Sequence, residues 1–243
     1  MSSPNASLRL CFGRWTARLD IEVATAQLWV RPDKGVRTFA DLKGKPIATT
    51  KKTTAHIFLS RALRANGIDS GRGRGAQQQH VRGGRSLYFR RGPAVALWVP
   101  FNVQVREKPP EAIKLVDASA FYPQSAVVGG WVARADYHDD NKEVLVRIIR
   151  GWAEANDYMV RNSAAAAEAL HQNHYPHASA ADISEAFKAQ KMYSSREWKR
   201  LYSDGTVGRW LQQVSDFFMA DAGVAKSVMS TEYFDPSLYL LTI

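Results

Sequence analysis

The sequence predicts an α/β fold with a helical C-terminal half, and three observations carry that expectation. Short apolar runs bounded by turn residues fill the first half, at Ala26–Arg31, Pro46–Thr50, Ala94–Trp98, Ala112–Asp117 and Val127–Ala133. An amphipathic helical stretch follows the second of these runs. Beyond Asp139 the apolar residues recur at helical spacing only.

Taken in order, residues 1–22 show no clear period and receive no element. Ala26–Arg31 alternates weakly and reads as a strand, closed by the Pro32-Asp33-Lys34-Gly35 turn. Thr38–Leu42 reads as one helical turn ended by Lys43-Gly44-Lys45, and Pro46–Thr50 as a short buried strand. A helix then starts with Thr53 or Thr54 as N-cap. It turns Phe58, Leu59, Ala62 and Leu63 inward and ends at Asn66-Gly67. The period collapses over 69–93 and resumes in the strand at Ala94–Trp98. In the second half, Asn141 begins a helix with Leu145, Ile148, Ile149, Trp152 and Met159 on one face. Ser163 caps an alanine-rich helix to Gln172, and Ser179 caps another ending near Gln190. A last helix spans about Val207 to Ala222, with Trp210, Val214, Phe217 and Phe218 inward and Gly223 at its end. The organisation expected is an unassigned stretch over 1–23, an α/β unit over 24–162 with an irregular insert at 69–93, and C-terminal helices and tail over 163–243.

Composition narrows the function. A chain of 243 residues with 45% hydrophobic content and seven Trp buries a real core. The single cysteine, Cys11, excludes an internal disulfide framework and any multi-cysteine metal site. No apolar run approaches the roughly 20 residues that span a bilayer, and the opening residues show no signal-peptide core. The net charge of +10 is local. Ser70–Gly92 holds six arginines (Arg72, Arg74, Arg82, Arg85, Arg90 and Arg91) and no acid, and taking those six away leaves +4. Only Tyr88 and Phe89 there could stack on bases, so nucleic acid is not the expected partner.

The most informative stretch is Gly35–Leu63, a turn, strand, hydroxyl-rich basic loop and helix. It aims a helix N-terminus at the loop occupant, with Lys51, Lys52, Thr53, Thr54 and His56 alongside. Free amides and the helix dipole there favour an anion, while the same residues also suit ordinary N-capping. A helix terminus supplies up to ~2 kcal/mol and two neutral hydrogen bonds about 1 kcal/mol each. The sum corresponds to about millimolar affinity, so useful capture requires a second wall. Trp98 and Phe101, directly after a strand, suit either a cleft wall or the core. Gly129-Gly130 before Trp131 suits either close approach of a ligand to the backbone or a bulge. His171, His174 and His177 have no carboxylate or cysteine nearby and read as surface residues rather than metal ligands. The residues show no nucleophile–base pair, phosphate loop or dinucleotide glycine pattern; no catalytic residue, cofactor or metal is expected.

GVRTFADLKGKPIATTKKTTAHIFLSRALRANGI, over Gly35–Ile68, resembles the start of the second lobe in substrate-binding proteins of ABC importers for aliphatic sulfonates, taurine and nitrate. Trp98-Val99-Pro100-Phe101, Ala133–Tyr137 with Val144–Asn162, and Tyr233–Leu238 look like later segments of the same family. The resemblance implies a type II periplasmic-binding-protein-like fold, of which this chain would hold one lobe while the first is incomplete. It implies capture of a small anionic ligand without chemistry, delivery to a membrane permease, a monomer, and an extracytoplasmic location, periplasmic or lipid-anchored. Carried over by position, Thr53, Thr54 and His56 match the anion-side loop and Trp98 the cleft aromatic; Gly129 completes the candidate set. Lys52 stands where that family usually has glycine or another small residue. Two enzyme readings remain on the same fold, a sulfinate desulfinase, for which Cys11 is the only candidate nucleophile, and a pyrimidine-precursor enzyme. A shifted reading frame would account for the Arg/Gly/Ser/Gln bias of 1–22 and 69–93.

Overall fold

The computed structural model describes residues 13–68, 77–80, 92–102, 105, 112–220 and 229–243, with 13–20 and 77–80 described by backbone alone. The expected α/β architecture is present. A five-stranded mixed sheet runs in the order β4 (Gln77–His80), β3 (Pro46–Thr49), β5 (Ala94–Trp98), β2 (Ala26–Val30), β6 (Ile113–Asp117). Strand β3 is parallel to β4 and β5, whereas β2 is antiparallel to β5 and β6. The parallel pairing requires a crossover, and helix α1 (Thr54–Ala65) supplies it.

Strand alternation explains how this sheet buries both faces. Ala26, Leu28 and Val30 join Ile47, Ala94 and Ala96 under Phe58, Leu59, Ala62 and Leu63 of α1. Those four helix residues are the inward face expected from their spacing. On the other side, Trp29 meets Ala48, Val95, Leu97 and Val105. The buried Gln27 satisfies itself locally: its Oε1 accepts from Trp29 Nε1 at 2.9 Å and its Nε2 donates to the Ala24 carbonyl at 3.2 Å.

The second core is built on a two-stranded antiparallel ribbon, β1 (Gly13–Ile21) with β7 (Val128–Arg134). The helices of this half are α2 (Ala135–Asp140), α3 (Lys142–Arg161), α4 (Ser163–Asn173), α5 (Ala180–Lys188), α6 (Ser195–Ser203), α7 (Thr206–Ala220), α8 (Ser230–Tyr233) and α9 (Ser237–Thr242), of which α2, α3, α8 and α9 pack against the ribbon. Its interior is aromatic, with Trp198, Tyr202, Trp210 and Tyr239 around Ile21, Leu145 and Ile149. Tyr202 stacks on Tyr239 at 4.6 Å and on Phe234 at 5.5 Å. The Tyr239 hydroxyl donates to the Ser195 carbonyl at 3.3 Å. Backbone bonds tie the crossing between the cores to the loop after α5: Ile21 N–H to Lys191 O at 3.1 Å and Ala24 N–H to Ala189 O at 2.8 Å.

Several expectations are corrected. Residues 13–21 form β1, because β7 offers them a partner distant in sequence. Gln77–His80, inside the irregular stretch, adds an edge strand beside β3. Ile148 is exposed, since α3 turns Leu145, Ile149, Ala153 and Asn156 inward instead. Asn162, not Ser163, is the N-cap of α4. The helices α2, α6, α8 and α9 were not anticipated. Helix α6 opens with a full capping box, Glu197 N–H to Ser194 Oγ at 3.3 Å and Ser194 N–H to Glu197 Oε2 at 2.8 Å. Gly223, Cys11 and the arginines of the 70–92 stretch lie outside the described residues.

Candidate functional site

The start of α1 is set by a sharp turn after β3. Lys52 takes the left-handed conformation with φ 59, the conformation that favours glycine. Thr53 follows in extended geometry as N-cap, but its side chain does not cap the helix. Its hydroxyl instead donates to the Thr50 carbonyl at 2.7 Å, closing the turn. The Thr53 carbonyl accepts from His56 N–H at 3.0 Å and Ile57 N–H at 3.1 Å. The amides of Thr54 and Ala55 therefore have no hydrogen-bond acceptor among the described residues, and the first turn carries no acid. Thr53 and Thr54 are half-buried and Lys51 and Lys52 exposed, so the mouth is not sealed by its own loop.

His56 is held behind that mouth. Its Nδ1 accepts from the Lys52 N–H at 3.2 Å, which assigns the ring proton to Nε2. The ring is buried and meets Phe217 of α7 edge-on at 5.3 Å. The histidine thus braces the turn and joins the sheet core to the helical one.

Trp98 ends β5 and packs edge-on against Phe101 at 5.5 Å, half-buried. Because β3 and β5 are parallel neighbours, the Thr49–Thr54 turn and Trp98 leave the sheet at the same end, where open α/β sheets bind ligands. Topology thereby brings Thr53, Thr54, His56 and Trp98 to one edge. Gly129 lies in the other sheet. The β1–β7 register shifts between Arg18 and Ile21, opposite Gly129, so this glycine sits at a bulge. Beyond Trp98, Asn102 Nδ2 donates to Glu185 Oε1 at 2.7 Å, fastening the loop after β5 to α5.

Among the described residues, two cavities lie elsewhere. A narrow pocket at the junction of the two cores is walled by Ile21, Ala26, Phe58, Arg61, Phe121 and Ser125, among others. A wider, open cleft of about 410 Å³ lies between the 122–124 segment and helices α6 and α7, with Arg200 and Arg209 in its wall. Neither is lined by Thr53, Thr54, His56, Trp98 or Gly129. His174 and His177 are exposed, and His171 Nδ1 lies 3.3 Å from the Tyr175 carbonyl. Among the described residues no three of His, Cys, Asp and Glu gather as a metal site, and no helix is long and apolar enough to cross a membrane.

Residues 21–166, more than half of the chain, match the family described as NMT1/THI5 like. A Brucella abortus protein described as a binding protein is 23% identical over 201 residues, which cover 83% of this chain and 62% of the relative. The chain thus spans under two thirds of the length of the curated relatives it matches. Among solved structures, the alkanesulfonate-binding protein SsuA of Xanthomonas axonopodis pv. citri, bound to MOPS, superimposes with a TM-score of 0.70 at 18% identity, covering 93% of this chain and 74% of that one. The periplasmic aliphatic sulphonate binding protein SsuA of Escherichia coli gives 0.69 at 18% identity, covering 92% and 70%. The desulfurization enzyme DSZB gives 0.69 at 13% identity, covering 97% and 80%. These likenesses identify the fold as that of periplasmic binding proteins.

Proposed function

This chain belongs to the NMT1/THI5-like family, and on that premise we propose that it is the substrate-binding component of an ABC importer that captures a small oxyanion of the sulfonate, taurine or nitrate type. The observation that carries the reading is the start of α1. Two neighbouring amides, Thr54 and Ala55, stand at a helix end with no side-chain cap and no acid in its first turn. The Thr54 hydroxyl and the exposed Lys51 and Lys52 add a donor and positive charge at the same edge. Trp98 supplies an apolar wall for the ligand's carbon end, and Gly129 lets the backbone of the other sheet approach. His56 positions the loop.

In this reading the ligand is bound and released unchanged, outside the cytoplasm, by a monomer that docks on a membrane permease; nucleic acid has no part in it. The fold is shared with a desulfurization enzyme, so fold alone does not separate capture from catalysis. The candidate residues favour capture: hydroxyls, amides and a buried histidine suit a binding surface, and no nucleophile–base pair stands among them. Desulfinase turnover lost on Cys11→Ala would favour the enzyme instead.

A thermal-shift screen against taurine, alkanesulfonates, nitrate and pyrimidine precursors tests the proposal. The expected result is stabilisation by one of the anion classes, removed when Thr53 is changed to Asp. A shift confined to pyrimidines, or one that survives Thr53→Asp, would contradict it.

A further inference from the structure

The junction pocket contains a cation with no partner among the described residues. Phe58 and Arg61 sit one turn apart on α1 and share the face that looks toward it. Among the described residues no carboxylate reaches the Arg61 guanidinium and no hydrogen bond takes up its donors. The group is only half-exposed. Removal from water and the neighbouring Arg64 charge both act against its protonated form, yet an arginine stays charged in a protein. A cation held this way calls for an anionic partner.

A second orphan belongs to a residue of the same wall. Ser125 lines the pocket, and its Oγ is buried without a partner while its backbone N–H is committed to the Phe121 carbonyl at 2.9 Å. The acid in the wall, Glu22, accepts from the Thr25 hydroxyl at 3.1 Å and makes no ion pair with Arg61. The void measures about 20 Å³, room for at least one water-sized sphere and so for a single spherical ion.

We propose that this pocket binds one small inorganic anion of halide size, held by the Arg61 guanidinium and the Ser125 hydroxyl. Its walls come from both cores, Ile21 and Ala126 from one, Ala26 and Phe58 from the other. The bound ion therefore cross-links the two chain crossings, near 21–26 and 118–127, and stiffens the junction between the cores. Arg61 lies about 10 Å along the helix from Thr54, so this site is separate from the amide mouth and independent of any sulfonate binding there.

The test uses bromide and chloride on the full chain. Crystals soaked in bromide are expected to show an anomalous peak within hydrogen-bonding reach of both Arg61 and Ser125. In solution, replacing gluconate by chloride at constant ionic strength is expected to raise the melting temperature. Arg61→Met should weaken chloride at least tenfold and Ser125→Ala several-fold. Should Arg61→Met not fold, the bromide map and Ser125→Ala decide alone. A pocket holding only water, or a chloride response that Arg61→Met and Ser125→Ala leave intact, overturns the proposal.

Discussion

The two cores of this molecule are stabilised by different means. The sheet core is aliphatic and closed: Leu28, Ile47, Leu59 and Leu63 are fully buried, and β2 is covered along its whole length on both faces. The helical core is aromatic, with a polar atom at its heart, the buried Trp198 Nε1, that has no hydrogen-bond partner among the described residues. It is also open on one side. Trp131 is 49% exposed and Val132 54%. Adjacent strand residues point to opposite faces, so both faces of β7 meet solvent there. A closed aliphatic core tolerates little change anywhere; an open aromatic one concentrates its stability in a few rings.

The largest expected effects fall on those rings. Trp198→Ala should cost about 3–5 kcal/mol and Leu59→Ala about 2–5 kcal/mol, each in its own core. Denaturant unfolding followed by probes in each core would check this. Two transitions, with only the mutated core shifted, support separate cores. A single transition displaced equally by both changes breaks the comparison.

Alkali provides a second probe of the aromatic side. Burial pushes the Tyr239 hydroxyl up to about 12, above its ordinary value of 10.0. The folded-state value is the raised one, so its stabilising contribution is full below pH 10 and is lost as pH rises through 12. The loss should reach at most about 3 kcal/mol, and Tyr239→Phe should remove that part of the pH dependence. Equal alkaline destabilisation of the phenylalanine variant would contradict the assignment.

Lys52→Gly should stabilise the protein by about 1 kcal/mol, because it relieves a left-handed lysine at the entry to α1. Chemical denaturation measures this directly, and destabilisation would show that the lysine side chain contributes more than its backbone strain costs. The smallest effect is expected at Trp131→Lys, below about 0.5 kcal/mol. A cost well above that would mean that this face of β7 is covered in solution.

The same contrast governs how much was legible in the amino acids. The sheet core announces itself locally: Phe58, Leu59, Ala62 and Leu63 recur at helical spacing within one element, beside a strand read from Pro46–Thr50. The helical core draws together residues far apart in the chain, such as Ile21, Leu145, Trp198 and Tyr239. Two signals there were nevertheless local. Trp15, Ala17, Leu19 and Ile21 alternate with Arg14, Thr16, Arg18 and Asp20, a period of two that a search for helical spacing passes over. Ser194-x-x-Glu197 ahead of Trp198 and Leu201 is a capping-box signature.

The candidate site shows the same limit. The turn before Thr54 was readable because hydroxyls, lysines and helix onset are contiguous. That Thr53 spends its hydroxyl on Thr50, leaving the Thr54 and Ala55 amides open, depends on backbone geometry that residue types do not encode. Arg61 is a stronger case. The residue type and its place in α1 are plain in the sequence, but its place in the wall of the junction pocket is a property of the packed structure.

The central claim, that the open amides of α1 hold an oxyanion, is tested most directly by an amide-resolved NMR titration of the full chain with taurine or methanesulfonate. The Thr54 and Ala55 resonances should move together and saturate at about millimolar ligand. Thr53→Asp should abolish those shifts while stabilising the helix by up to about 1 kcal/mol, because its carboxylate occupies the same amides. Amides that stay in place well above millimolar ligand, or that respond equally in the Thr53→Asp variant, would contradict the account.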